Sequence, residues 1–423
     1  GRCGIRHLLI TTGFSGLDET GAKLERKTLK IARSLGIRIL GPDSLGIMRP
    51  GMGLNATLTS ENAGAGKLAL VAQSAALCTA VINRANTRRI GFSSVISLGN
   101  AADIDAGEIL DYLANDSKTQ GILLAADNIG SPRRFIGALR SATRTKPVVL
   151  LKPGHSTDRL ADAAFETAVR RAGGICVQTL DEWLDIADGL CTINPLPGPR
   201  LAIVSNDRGL SALAVDRACQ RKVPLASFAP ATLKALGAAV PSRHRQGNPI
   251  ELFHHDTPYH FRKVIEALDA DKDIDGLLVI ASLTAMTPPL ELAHALIDLA
   301  EKIVRPLIVC WMGGTRALDA RQALIEQGIP TLSTPEAAID LCANLAAYPQ
   351  NLARLRRIPP ALVAGSPSPS EKADDARLLI DAVLTQGRSQ FSAMEAKAVL
   401  RAFGVPVSPT LLARTPTEAL FLA

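Results

Sequence analysis

The strongest constraint in this sequence is that one strand–turn–helix unit is written twice. Lys67-Leu68-Ala69-Leu70-Val71-Ala72-Gln73 has its counterpart in Arg200-Leu201-Ala202-Ile203-Val204-Ser205-Asn206. In each copy a short apolar run reads as a buried parallel strand, a polar pair stops it, and helix formers follow: Ala75 to Leu77 in the first, Leu210 to Ala218 in the second. Small residues at such a turn let a ligand approach the backbone, and the free N–H groups and positive dipole end of the helix favour an anion such as phosphate. Gln73, Ser74 and Ala75, with Ser205 and Asn206, are therefore candidate ligand-binding residues. Taken alone, the pattern also fits any βα corner of an α/β protein.

Later landmarks repeat in the same order. Lys146 to Lys152 precedes Pro153-Gly154, and Arg305 to Trp311 precedes Met312-Gly313-Gly314. Gln178-Thr179-Leu180-Asp181-Glu182 then matches Ser333-Thr334-Pro335-Glu336. Ordered repetition of this kind predicts two related α/β modules in tandem. We place the first at residues 66–195 and the second at 199–350, divided by the stiff run Asn194-Pro195-Leu196-Pro197-Gly198-Pro199.

Ahead of the modules, a strand at Leu8–Thr12, a helix over Ala22–Leu35 and a strand at Ile37–Leu40 lead into the corner Gly41-Pro42-Asp43-Ser44-Leu45-Gly46. This is the second half of a dinucleotide-type fold, placed at residues 1–60, with a Gly-, Asn-, Thr- and Ser-rich linker from Pro50 to Gly66. After the modules, residues 357–388 read as a linker, and 389–423 open a further domain with an amphipathic helix over Ser392–Phe403. The chain opens on Gly1 and runs at once into a mid-domain strand, so it reads as an excerpt.

With 423 residues, 47% apolar and 21% charged, the composition is that of a soluble globular protein with several cores. The net charge of +7 is scattered rather than gathered in a tract, which argues against a nucleic-acid partner. Seven cysteines, with no Cys-x-x-Cys pair, lie mostly in apolar runs and read as reduced thiols of a cytoplasmic protein. No run is long enough for a membrane span, and no signal peptide is visible. Asp127 follows the strand Gly121–Ala125, at the tip where open α/β sheets place their ligands; a turn or helix-capping role is the alternative. His254, His255 and His260 lie close together without a Cys or a regularly spaced carboxylate, and read as a surface loop rather than a metal site.

These residues together resemble the NDP-forming acyl-CoA synthetases, the acetate–CoA ligase relatives of succinyl-CoA synthetase. Gly41-Pro42-Asp43-Ser44-Leu45-Gly46 is similar to the end of the family's CoA-binding domain, with Asp43 where Asn is usual. Leu70 to Leu77 resembles the strand and helix start that face a phosphohistidine, with Ala75 in place of Gly. Ser97-Leu98-Gly99-Asn100-Ala101-Ala102-Asp103, Gly247-Asn248-Pro249-Ile250 and Cys310-Trp311-Met312-Gly313-Gly314 resemble further family landmarks, and Phe391 to Pro409 resembles the opening of its ATP-grasp domain. The resemblance implies an α/β chain: part of a Rossmann-like CoA-binding domain, two flavodoxin-like parallel-sheet domains and the start of an ATP-grasp domain. It implies CoA or acetyl-CoA bound near Gly41, Pro42, Asp43 and Ser44, ATP with Mg at the ATP-grasp domain, short-chain acyl substrates and an oligomer.

The family's chemistry passes phosphate from ATP to a His, then to a carboxylate, before CoA takes the acyl group. Asp127 matches the orienting carboxylate, usually Glu. After Lys152, however, the family's Ser-His-Thr-Gly segment is missing from a shortened loop, and His155 falls too early to match its His. His155 is either a substitute nucleophile or a surface residue. Loss of that His resembles the branch in which a synthetase-like region is joined to a GNAT domain, as in large bacterial protein lysine acetyltransferases. The expectation is then a CoA-responsive regulatory region acting on protein lysines. The alternatives are an active acetate–CoA ligase and a non-catalytic CoA- or nucleotide-binding scaffold.

Overall fold

Buried parallel strands carry apolar side chains on both faces, and the chain's continuous Val/Ile/Leu runs become such strands in a computed structural model. It describes residues 3–13, 18–127, 129–153, 159–192, 196–240, 247–253, 256–282, 288–356, 369–413, 415, 417 and 420. The chain divides into two compact units, residues 1–357 and 358–423.

The first unit opens with β1 (His7–Leu9), α1 (Asp18–Ser34), β2 (Arg38–Leu40), β3 (Gly46–Arg49) and β4 (Leu54–Thr57). The first module follows: β5 (Ala65–Ala72), α2 (Ala75–Thr87), β6 (Phe92–Ser97), α3 (Ala106–Asn115), β7 (Gly121–Ala125), α4 (Pro132–Thr143), β8 (Val148–Leu151), α5 (Arg159–Arg171), β9 (Ile175–Val177) and α6 (Leu180–Thr192). The second module runs β10 (Leu201–Ser205), α7 (Arg208–Arg221), α8 (Pro230–Ala239), β11 (Ile250–Glu251), α9 (Pro258–Asp269), β12 (Gly276–Ala281), α10 (Pro289–Ala300), β13 (Leu307–Trp311), α11 (Leu318–Glu326), β14 (Thr331–Leu332) and α12 (Pro335–Arg356).

The duplication read from sequence is present in the topology. The first sheet contains β6-β5-β7-β8-β9 and the second is β11-β10-β12-β13-β14, all parallel within these sets. Numbered within each module, both have strand order 2-1-3-4-5, the flavodoxin-like arrangement. The second module inserts α8 between its first helix and its second strand.

The reading of residues 50–66 as a linker needs correction. β4 pairs antiparallel with β3, and β3 pairs antiparallel with β6, so both extend the first sheet to seven strands. The pairing buries Met48 in the first module's core, and Ile47 packs partly buried against a second apolar cluster. Edge strands of this kind satisfy one side of a sheet that a parallel crossover would otherwise leave open. Residues 357–388, read as a linker, contain a 17-residue helix, α13 (Pro369–Thr385). In the second unit it precedes α14 (Ala393–Ala402), whose capping box joins the Ser392 amide to Glu395 Oε2 at 2.7 Å and the Glu395 amide to Ser392 Oγ at 3.3 Å.

The two modules share one apolar core, with residues of β5, α2 and α6 packed in a single cluster with residues of β10, α7, β13 and α12. The polar groups at this seam are paired. Arg217 on α7 donates to both carboxylate oxygens of Asp340 on α12, at 2.9 and 2.7 Å, and Asn344 donates to Glu182 of the first module at 2.9 Å. Further along α12, Asn351 Nδ2 donates to the Gly174 carbonyl at 3.1 Å, so the long last helix of the second module reaches over the first.

Asn248 does the work of a strand where β11 is too short to do so. Its Oδ1 accepts from the Ile203 amide at 3.0 Å, and its Nδ2 donates to the carbonyls of Leu201 and Ala226 at 2.8 and 3.0 Å. Asn248→Ala removes three hydrogen bonds from backbone groups beside the second sheet. We expect a loss of about 2–3 kcal/mol, read as a lower urea midpoint at unchanged slope.

Candidate functional site

In a 2-1-3-4-5 sheet the helices after strands 1 and 3 leave on opposite faces, and the gap between those strand ends is where ligands bind. In the first module this gap lies after β5 and β7. The Gln73 amide donates to the Ala125 carbonyl at 3.2 Å, and Gln73 Oε1 accepts from the Asp127 amide at 2.8 Å. Gln73 and Asp127, read separately from sequence as a ligand-binding residue and an orienting carboxylate, are joined by this bond. Asp127 is exposed. Ser74 caps α2 by accepting from the Leu77 amide at 3.2 Å. In a capped helix the first amides, here of Ala75 and Ala76, have no intrahelical partner and remain available to an anion.

The second module repeats the clamp with different side chains. Asn206 Oδ1 accepts from the Ser282 amide at 2.8 Å, and its Nδ2 donates to the Ser282 carbonyl at 3.2 Å, which ties the end of β10 to that of β12. Ser205 is buried; its hydroxyl donates to the Asp207 carbonyl at 2.9 Å and accepts the Asp207 amide at 3.1 Å. Both side chains, read from sequence as ligand-binding, are thus committed to the frame of the crevice. The residue that sequence passed over is Asp207. Its carboxylate caps α7, accepting from the Leu210 amide at 2.8 Å, at the position where Ser74 caps α2.

The Gly41–Gly46 corner meets the first module. Asn100 donates its amide to the Pro42 carbonyl at 2.9 Å, and the Ala102 amide donates to the Gly41 carbonyl at 3.2 Å. Ser44 is buried, with its hydroxyl donating to the Ser97 carbonyl at 2.6 Å and accepting from the Gly46 amide at 3.0 Å. Gly41 and Pro42 are also buried, and only Asp43 of this set is exposed. The close approach depends on Gly99, at φ +58°, where a Cβ would lie 2.1 Å from the Pro42 carbonyl oxygen.

Beside this junction is a cleft of about 320 Å³. Gln73 and Asn100 line it together with Arg33 of α1, Arg134 and Phe135 of α4, and the backbone before α4. The N-terminus of α4 has no side-chain cap from Ser131, and Pro132 opens the helix without an N–H. Neither Ser205 nor Asn206 lines this cleft. Its charged wall escaped the sequence reading. Asp103 Oδ2 accepts from Arg38 Nε at 3.0 Å and from the Ile39 amide at 2.9 Å, and Arg38 reaches Glu108 at 2.6 Å. Desolvation opposes the Asp103 charge, but the Ile39 amide and the Arg38 guanidinium outweigh it and hold the carboxyl below its ordinary range.

His155, Gly154 and the residues to 158 lie outside the described residues, as do His254 and His255. His260 is at the start of α9, and its Nδ1 accepts from the Thr257 amide at 3.2 Å. Among the described residues no group of three or more His, Cys, Asp or Glu could hold a metal ion, and no helix is long and apolar enough to cross a membrane. Burial pushes the thiols of Cys78, Cys176, Cys310 and Cys342 up to about 12, so they are not nucleophiles at neutral pH.

Comparison with known proteins extends this picture. A family model described as a succinyl-CoA ligase-like flavodoxin domain matches residues 65–190, the first module. The chain is 31% identical to the alpha subunit of ADP-forming acetate–CoA ligase II of Pyrococcus furiosus, over 78% of this chain and 75% of that subunit. The chain belongs to the ADP-forming acetate–CoA ligase family. It is 30% identical to the ADP-forming acetate–CoA ligase I of Archaeoglobus fulgidus over 98% of its own residues, and spans 60% of that longer relative. In structure it is similar to the apo form of a dinucleotide-forming acetyl-coenzyme A synthetase 1 from Ca. Korarchaeum cryptofilum. The TM-score is 0.77 at 25% identity, covering 84% of this chain and 80% of that one.

Within this family member, the Asp103 contact fastens β2 to the first module, and its sign with pH is fixed. A carboxyl whose folded pKa lies below its unfolded value adds stability above pH ~4, lost as pH falls through the folded value. Asp103→Asn should cost about 1 kcal/mol at pH 7, with faster amide exchange at Ile39. As pH falls through the folded value, the difference from the parent protein should close.

Proposed function

We propose that this chain is the CoA-facing, synthetase-like part of a larger enzyme, that it does not run the phosphohistidine reaction, and that it regulates a lysine acetyltransferase domain in the intact protein. The observation that carries this reading is the length of the β8–α5 connection. Only the seven residues 152–158 separate Leu151 from Arg159, and they contain no Ser-His-Thr-Gly segment. The cap on α7 supports it. A carboxylate already seated on that helix N-terminus offsets the positive dipole end and opposes a second anion there.

The cleft beside Gln73 fits the acyl-thioester end of CoA. Asn100 and Gln73 line it with carboxamides, Phe135 and Ile129 offer apolar surface for a short acyl chain, and Arg33 offers charge toward the phosphates. CoA supplies the activated acyl group, while these residues bind and orient it. Binding of this kind biases the intact protein only so far as the liganded and free forms differ in affinity. ATP and Mg belong, on this reading, to the ATP-grasp region that α14 resembles in opening. The names of the relatives favour a second reading, an active ADP-forming ligase that uses His155.

The deciding experiment treats the intact protein with ATP labelled in its γ-phosphate. The expected result is no acid-labile protein phosphate and no acyl-CoA from ATP, CoA and acetate, but acetyl-lysine on a protein substrate given acetyl-CoA. Label that disappears in His155→Ala would overturn the proposal in favour of the ligase. Absence of both label and acetyl-lysine would leave a binding scaffold.

A further inference from the structure

A second cleft, of about 460 Å³, opens at the opposite edge of the sheets, where β9 begins and α7 ends. It lies between modules: Arg170 and Gly174 come from the first, Arg221 and Lys222 from the end of α7, and Asn351 and Arg354 from α12. Its lining holds four cations, Arg170, Arg221, Lys222 and Arg354, four carboxamides and no carboxylate. Two of the cations are neutralised nearby. Arg221 meets Glu182 and Asp340, each at 3.2 Å, and Arg170 meets Glu166 at 3.6 Å. Lys222 and Arg354 have no ion pair among the described residues.

Part of this charge answers the negative dipole end of α7, which Arg221 and Lys222 terminate. Arg354, on the other wall, lies in the last turn of α12 and answers that helix's own dipole end, but that need does not bring the two helix ends to one cleft. Nor does it account for Lys222 at φ 57°, the helix-ending position that glycine fills at less cost. An unpaired cation on each wall, the carboxamides of Gln220 and Gln350 beside them and this volume suit a linked pair of phosphates with room for a small attached group.

We infer that this intermodule cleft binds a diphosphate-bearing small molecule, at a site separate from the strand-tip crevice. The inference does not depend on whether the chain forms a phosphohistidine. Lys222 and Arg354 are exposed and carry none of the seam's bonds, so they can be changed without loosening it. Lys222→Asn suits the left-handed backbone there.

The test is titration calorimetry of the full chain with inorganic pyrophosphate at low ionic strength, repeated on Lys222→Asn/Arg354→Gln and on Arg354→Lys. We expect saturable binding that weakens about tenfold or more in the double variant, since each lost charge-assisted hydrogen bond is worth about that factor. Arg354→Lys should retain most of it. ADP titrated in parallel separates the sources: equal affinity assigns recognition to the phosphates, and tighter binding that is lost in the double variant adds the nucleoside. No binding of pyrophosphate, or equal binding by parent and double variant, would overturn the inference.

Discussion

The architecture turns on how each sheet ends its first strand. At that point the chain leaves one face while the third strand's helix leaves the other, so backbone groups at the two tips have no ladder to continue. Gln73 in the first module and Asn206 in the second fill this role with the same chemistry: a side-chain amide that accepts the backbone N–H beyond the third strand. The clamp fixes the crevice width before any ligand arrives. Because Gln is one methylene longer than Asn, the first module's clamp reaches Asp127, two residues past β7, while Asn206 holds Ser282, one residue past β12. Equivalent positions therefore build crevices of different shape on equivalent sheets.

What the sequence made legible follows from burial. Strands covered on both faces must be apolar throughout, so Gly121–Ala125, Leu201–Ser205 and Leu307–Trp311 stand out as runs, and their repetition gave the tandem modules. The antiparallel pair β3 and β4 has no such signature. Leu54–Thr57 is largely exposed, and it is a strand only because β3 offers it an edge. α13 was hidden for a related reason: its flanking Pro and Ser residues read as a linker, while its helical residues are mostly exposed.

At the candidate site, residue type located the crevice but did not say which side chains face it. Ser205, Asn206 and Ser44 are polar residues at strand tips, as ligand-binding residues are, yet each is spent on neighbouring backbone groups. A short polar side chain next to a strand end has local partners within reach, and sequence does not reveal whether those partners or a ligand win it. The ion cluster of Arg38, Asp103 and Glu108 was invisible for the opposite reason, since Arg38 lies 65 and 70 positions from its two partners. Only the packing of the opening segment on the first module brings them together.

The two helix N-termini at the crevices show how a duplicated frame can diverge in function without diverging in fold. Ser74 and Asp207 make the same bond, a side-chain oxygen accepting the amide three residues on, so either satisfies the helix as a cap. They differ in what they leave for a ligand. A neutral hydroxyl leaves the positive end of α2 available, whereas a carboxylate uses that of α7. Structural selection on the cap is therefore nearly blind to the exchange, and electrostatic selection on the ligand is not. Equivalent helix starts on a duplicated frame can thus carry caps of different charge while each helix stays capped, which is the asymmetry this chain displays.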